Sequence, residues 1–420
     1  MLNRMTMGAL AGVRVAEIGS GTALAYCGKL FADFGADVVK IEPPGGDPGR
    51  HAPPLIDCGG GIAESGVFAW LNTNKRSVAV GEDDITFIPA ILAGSDVLLD
   101  AREGASADAG ETGHRALRAA FPELTIVALS WFGESGPYRN FVATDSVVRA
   151  LAGLVKQTGP EAGPLFQTQH QAEIPAGLCA FSAAMASLIS DSSKGRRFEI
   201  GIYDANVVIA EYQATTTVQL QLGERRRGVN RWFPTFPMGI YACREGWLGI
   251  TVLTPDQWRG FCDMLGMAAQ AGDPRYAMPP GRIDRADELE AVFVPLLQAR
   301  TAREWFVEGM RRRLPFVVVP DMAELLTEPV HRGRGAIGTV RIGKAAFEAP
   351  VLPQRLTRTP PAAEGRAPLA GADTTSWRAA KGARPSPAGG RRPILAPKSS
   401  RSRRAPTPTG GAVPITARPA

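Results

Sequence analysis

The chain has 420 residues, 45% hydrophobic and 21% charged, enough apolar surface for about two globular domains. No apolar run approaches the ~18 residues that span a bilayer, and the Met-rich start has neither a sustained apolar stretch nor a small-residue cleavage site, so the expected location is the cytoplasm, with no membrane partner. The formal charge of +6 is unevenly placed: residues 361–420 hold eleven Lys or Arg against Glu364 and Asp373, which leaves the remainder mildly acidic.

In chain order, Val13, Val15 and Ile18 read as a short buried strand, Gly19 and Gly21 as a tight turn, and Thr22 to Phe34 as an amphipathic helix stopped by Gly35. Val38, Val39 and Ile41 make a second, parallel strand with Glu42 at its carboxyl end. This opening outlines a nucleotide-sized crevice, and Glu42 stands where a dinucleotide fold places its ribose ligand. Leu24 occupies the place of the third glycine of that fingerprint, so the ligand stays open. Helical stretches around Thr86–Leu92 and Arg115–Phe121 then alternate with strands at Asp96–Asp100 and Leu124–Ser130, as in a parallel sheet covered on both faces. A Gly/Pro loop over 131–138 can turn backbone amides toward a ligand. Asp145 precedes a helical run over 146–155, where its residue type and place suit an N-cap. A long helix over Ile174–Leu188 leads to a strand over Arg197–Tyr203, and Gly239–Thr251 reads as a hairpin followed by helices.

The expected fold class is therefore α/β: a large Rossmann-like domain with a parallel sheet, plus a smaller α+β domain. The expected boundaries are 8–206 for the first part of the large domain, 207–238 for a linker, 239–330 for the small domain and 331–359 for a return to the large one. Residues 360–420, rich in Pro, Arg and Ala, read as a disordered basic tail. Trp377 is its lone aromatic, so no nucleic-acid partner is expected. Five scattered cysteines without CxxC spacing and four histidines without paired spacing give no disulfide framework and no metal site.

An ordered set of motifs resembles the class III CoA-transferases, the formyl-CoA and carnitine-CoA type. The pieces are Leu10–Val15, Leu30–Pro44, Asn72–Ser77, Phe132–Tyr138 followed by Asp145, Ile200–Ala205, Gly246–Thr251 with Asp256–Trp258, and Glu304–Trp305 before Leu314–Val318. The resemblance implies an acyl-CoA:carboxylate CoA-transferase that works through an aspartyl-CoA thioester and mixed anhydrides, with Asp145 as nucleophile. A carboxylate suits that chemistry because its acyl link is reversible in both directions. The resemblance further implies that acyl-CoA and a free carboxylic acid are the substrates, that no separate cofactor is needed, and that two chains thread through each other as an interlocked homodimer. The residues it places against CoA are Thr22, Ala23, Lys75, Arg76, Val80, Gly81, Arg102, Phe132 and Gly133.

Two alternatives stay open on the same fold. An acyl-CoA racemase or epimerase needs an acid/base pair at the substrate α-carbon, and Thr144 stands where its histidine is expected. A non-catalytic or degenerate subunit is the other, because Leu24 and Ala109 depart from the motifs that hold CoA. The segment Trp232–Met238 is apolar and aromatic, which suits the wall of a pocket for a non-polar acyl chain.

Overall fold

The computed structural model describes residues 8–81, 87–102, 113–155, 159–160, 162, 170–190, 195–220, 227–362 and 364–381. The chain begins with β1 (Arg14–Gly19), α1 (Thr22–Asp33) and β2 (Asp37–Glu42). A hairpin of β3 (Leu55–Asp57) and β4 (Ala63–Ser65), then α2 (Gly66–Leu71), lead to β5 (Arg76–Ala79). Next come α3 (Phe87–Leu92), β6 (Val97–Ala101), α4 (His114–Ala120), β7 (Thr125–Ser130), α5 (Asp145–Leu151), α6 (Glu173–Ile189), β8 (Arg197–Gly201), α7 (Ile202–Ile209) and α8 (Glu211–Leu220). Six strands in the order β5-β2-β1-β6-β7-β8, all parallel, form the main sheet of the expected α/β fold. Alternate residues serve opposite faces. Val15, Val38, Leu99 and Val127 pack with α1 and α6, while Ala16, Ile18, Val39 and Ile41 pack with Ile88, Ile91, Leu92 and Leu117 of α3 and α4.

One charged cluster lies inside this core. The Glu17 carboxylate in the middle of β1 receives Lys40 Nζ at 2.9 Å and Lys75 Nζ at 2.7 Å, and Lys40 also reaches Asp47 at 2.7 Å. Burial alone would raise the Glu17 pKa, but the two ammonium groups outweigh it and hold it below the usual carboxylate range. Helix α1 crosses directly above: a Cβ on Gly28 would stand 1.9 Å from Glu17 Oε2. The close approach of helix to strand thus falls at Gly28, which frees Leu24 to pack in the core.

The smaller domain is built on β9 (Met238–Ala242) and β10 (Trp247–Thr251), the expected hairpin. After it come α9 (Pro255–Leu265), α10 (Ala268–Gly272), α11 (Pro279–Ile283), α12 (Ala286–Leu297) and α13 (Ala302–Arg311), with β11 (Phe316–Val319) antiparallel to β10. Capping boxes start α9 (Thr254, Gln257) and α13 (Thr301, Glu304), and Trp258, Phe261, Phe293 and Trp305 fill the core between helices and sheet. Much of the segment expected as a linker is helical, since α7 and α8 carry the chain to Leu220.

The chain then forms α14 (Met322–Thr327), α15 (Pro329–Gly333), β12 (Ile337–Ile342) and β13 (Ala345–Pro350), followed by β14 (Glu364–Ala367) and α16 (Thr374–Lys381). These last two elements correct the expectation of a disordered tail from residue 360. Strand β14 pairs parallel with β12, and the turn before α16 covers the open edge of β5. There Asp373 N donates to Ser77 O at 2.9 Å, Asp373 Oδ2 accepts from Ser77 N at 2.9 Å, and Thr374 Oγ1 accepts from Ala79 N at 2.9 Å. Trp377 packs on the core under α3 and α4. The physical reason is edge protection: an unpaired outer strand leaves its amides without partners, and this segment supplies them. Residues 382–420 of the expected tail lie outside the described residues.

Candidate active site

The order of strands reverses between β1 and β6, since α1 carries the chain from β1 to β2 on one side while β6 lies on the other. Crevices at such points, beyond the carboxyl ends of the strands, are where open α/β sheets bind ligands. Gly19, φ +108°, ends β1 so close to β6 that a Cβ would lie 2.6 Å from the Ala101 carbonyl carbon, so only glycine closes this edge. Three residues later Thr22 opens α1. Its amide donates to Glu173 Oε1 at 2.9 Å, which brings the first turn of α6 against the first turn of α1. The contact is tight further along, where a Cβ on Gly177 would stand 2.7 Å from Ala23 O. Glu173 therefore sits in the first turn of α6, at a helix N-terminus.

His170, three residues earlier, has its Nδ1 2.9 Å from Thr22 Oγ1 and 3.8 Å from Glu173 Oε2. The Glu173 carboxylate is the main cause that raises the His170 pKa, against the opposing effect of burial, and Asp145 adds to it. The His170 backbone is left-handed, φ +67°.

Asp145 stands one shell behind. It is the first helical residue of α5 and not its cap: Thr144 is the N-cap residue, without a side-chain capping bond. Asp145 Oδ1 accepts from Ala172 N at 2.6 Å, an amide of another element, while Oδ2 is enclosed without a hydrogen-bond partner among the described residues. Asn206 of α7 donates to Ala172 O at 3.0 Å and to Ile202 O at 2.7 Å. The Ala172 backbone, immediately before Glu173, is thus held at both its N–H and its C=O. With Asp145 8% exposed, this carboxylate fixes the start of α6. The Glu173 side chain stays 12% open beside the crevice.

Most of the residues expected to touch CoA line the carboxyl edge of the sheet. Val80 and Gly81 follow β5, Thr22 and Ala23 follow β1, Arg102 follows β6, and Phe132 and Gly133 follow β7. Val80 N donates to Glu42 O at 2.9 Å. Phe132 packs against Tyr138 and Tyr203, and Gly133, φ +78°, leaves room for Glu199. Arg102 is turned back onto Asp100, which His114 also reaches at 3.1 Å.

Lys75 and Arg76 lie elsewhere, at the start of β5. Lys75 Nζ donates to Glu17, to Ala25 O at 2.8 Å and to Asn72 Oδ1 at 2.8 Å, so all its protons are used in the core, and burial pushes its pKa down to about 8. It is corrected from a CoA contact to a core ion. Arg76 is paired with Asp37 and lies over the Trp377 ring at 5.5 Å. Glu42, the ribose candidate, is corrected too. Its carboxylate is engaged by Arg50, by Ser77 Oγ and by the Asp47 amide.

Sequence reasoning missed Glu173, His170 and Asn206. The available signal was slight: an acid and then Pro175 in a first helical turn, with a histidine one turn earlier and Gly177 marking a close helix contact. In the smaller domain, Trp232 and Met238 line a cavity of about 620 Å³ with Ile240, Ile250 and Phe316, whereas Phe236 is fully buried in the core. No group of three metal-ligating side chains occurs among the described residues, and no helix among them is long and apolar enough to cross a membrane.

Residues 10–374 match the family model described as CoA-transferase family III. The chain is 30% identical over 381 residues to the probable CoA-transferase Rv1866 of Mycobacterium tuberculosis; the match covers 86% of this chain and 46% of that protein, so the chain spans less than half the length of that relative. It is 26% identical over 367 residues to the succinate–glutarate CoA-transferase of Agrobacterium fabrum, which covers 84% of this chain and 88% of the relative. Its fold is similar to that of a CAIB/BAIF family protein from Brucella suis, with a TM-score of 0.79 at 22% identity over 89% of this chain and 99% of the other.

Proposed function

The chain belongs to CoA-transferase family III, and from that premise we propose that its crevice moves coenzyme A from an acyl-CoA thioester to a free carboxylic acid through a covalent adduct on Glu173. A carboxylate oxygen attacks the thioester carbonyl, forming a C–O bond and expelling CoA thiolate. The thiolate then attacks the Glu173 carbonyl carbon of the mixed anhydride, leaving a glutamyl-CoA thioester and the first free acid. An acceptor carboxylate repeats the two steps in reverse and departs as the new acyl-CoA.

The observation that carries this reading is the setting of Glu173, first residue of α6, against the first turn of α1, at the reversal of the strand order. Asp145, the nucleophile expected from the sequence, has one oxygen committed to Ala172 and the other enclosed, so its role in this proposal is to hold Glu173 in place. Thr22 and the carboxyl edge from β5 to β7 would carry the CoA. A racemase is less well supported. Deprotonation and reprotonation on opposite faces need a carbon between acid and base, and His170 and Glu173 are 3.8 Å apart.

Initial rates test the reading. With succinyl-CoA as donor and glutarate as first acceptor, chosen because relatives are named for those acids, and with other acyl pairs in turn, double-reciprocal plots should be parallel. Intersecting lines would mean that the first acid stays bound until the acceptor arrives, and hydroxylamine trapping then decides: no trapped adduct with any active pair would contradict a covalent intermediate. The proposal extends to an interlocked homodimer, supported by apolar side chains exposed on neighbouring helices: Val147 and Leu151 of α5, Val207 and Val208 of α7, and Val218 of α8. Light scattering should give twice the 44.6 kDa chain mass, and a monomer at assay concentration would exclude it.

A further inference from the structure

We propose that His170 is the resident countercharge of the transfer cycle, its imidazolium facing the negative charge as that charge passes from Glu173 to the CoA sulfur and on to the departing carboxylate. The inference rests on the reading of Glu173 as nucleophile. In that cycle one unit of negative charge moves without any proton transfer. Attack neutralises the Glu173 carboxylate and creates a thiolate, and return of the thiolate releases the free acid as its carboxylate. A cation fixed beside the starting point stabilises each of these species in turn without reorganising.

The geometry supplies such a cation. His170 Nδ1 is anchored 2.9 Å from Thr22 Oγ1, on the residue whose amide holds Glu173, and lies 3.8 Å from the Glu173 carboxylate. Asp145 is the second acid whose charge acts on the ring. The side chain stays 34% open, so a substrate group can reach the imidazole. The backbone at His170 is left-handed, φ +67°, a conformation uncommon outside glycine that histidine tolerates better than most residues.

That backbone also gives a clean test, because glycine adopts it freely and His170→Gly should keep the fold. The readout is formation of the new acyl-CoA, which simple hydrolysis does not yield. His170→Gly should lower kcat by about 100-fold, the effect of removing one preorganised charge-stabilising donor, with the KM for acyl-CoA changed by less than about 3-fold. Added imidazole should restore at least about a tenth of the lost rate by filling the vacated space. His170→Gln, which keeps a hydrogen bond to Thr22 but no charge, should be equally slow and unresponsive to imidazole. Wild-type kcat in either variant, or a slow His170→Gly enzyme with an unchanged melting temperature and no imidazole response, overturns the proposal. If wild-type enzyme forms no hydroxylamine-trapped adduct, the covalent reading fails and this inference with it. An adduct formed equally fast in wild type and His170→Gly removes this inference alone.

Discussion

Glu173→Gln should abolish CoA transfer while leaving the protein folded. A neutral amide oxygen still accepts the Thr22 amide, so the contact between α1 and α6 survives and the melting temperature should stay within a few degrees. The amide is not a nucleophile toward a thioester, and kcat should fall by at least about 10⁴-fold, the scale of losing an attacking group. Asp145→Asn should behave differently. Its side-chain oxygen can still accept from Ala172 N, so the start of α6 remains placed and the rate should drop by no more than about tenfold, while Asp145→Ala leaves that buried amide unpaired at a cost of about 1–3 kcal/mol in stability. A reversed order, with Asp145→Asn dead and Glu173→Gln active, would return the nucleophile to Asp145.

Ending the chain at Thr359 should destabilise it strongly, whereas ending it at Lys381 should not. The shorter chain loses β14 from its place beside β12, the hydrogen bonds from the segment around Asp373 and Thr374 to the β5 edge, the bond from Arg50 to Pro368 O, and the packing of Trp377. Several hydrogen bonds at about 1 kcal/mol each, together with the apolar burial, amount to on the order of 5 kcal/mol. Thermal unfolding should register this as a drop of roughly 5–10 °C. Equal melting temperatures for the two chains would mean that residues 360–381 do not support the sheet.

The main sheet is readable from sequence because parallel strands covered on both faces appear as short runs such as Val38-Val39 and Leu98-Leu99, and because Gly19, Gly21 and Gly35 punctuate them. What is hidden depends on partners far along the chain. Lys75 beside Arg76 resembles a solvated or phosphate-binding pair, and nothing local announces that Glu17, at the other end of the α1 layer, takes its charge. Glu42 looks free until Arg50 turns back through the bend after β2. Strand β14 is only Glu-Gly-Arg-Ala, with no apolar alternation, and exists because β12 offers it a ladder. The candidate site shows the same division: the crevice is visible in the glycines after β1, but the carboxylate that faces it arrives from 151 residues away through the packing of α6 on α1. Asp145 attracts attention because a helix follows it, although the amide it serves belongs to the next helix.

The most direct test of the account is to trap the adduct and locate it. Enzyme incubated with acyl-CoA and quenched with hydroxylamine should carry a hydroxamate, because hydroxylamine cleaves acyl anhydrides and thioesters but leaves ordinary carboxylates alone. Peptide mapping by mass spectrometry should place the label on Glu173, dependent on acyl-CoA and absent from Glu173→Gln. Label on Asp145, or no label from any acyl-CoA that the enzyme turns over, would contradict it.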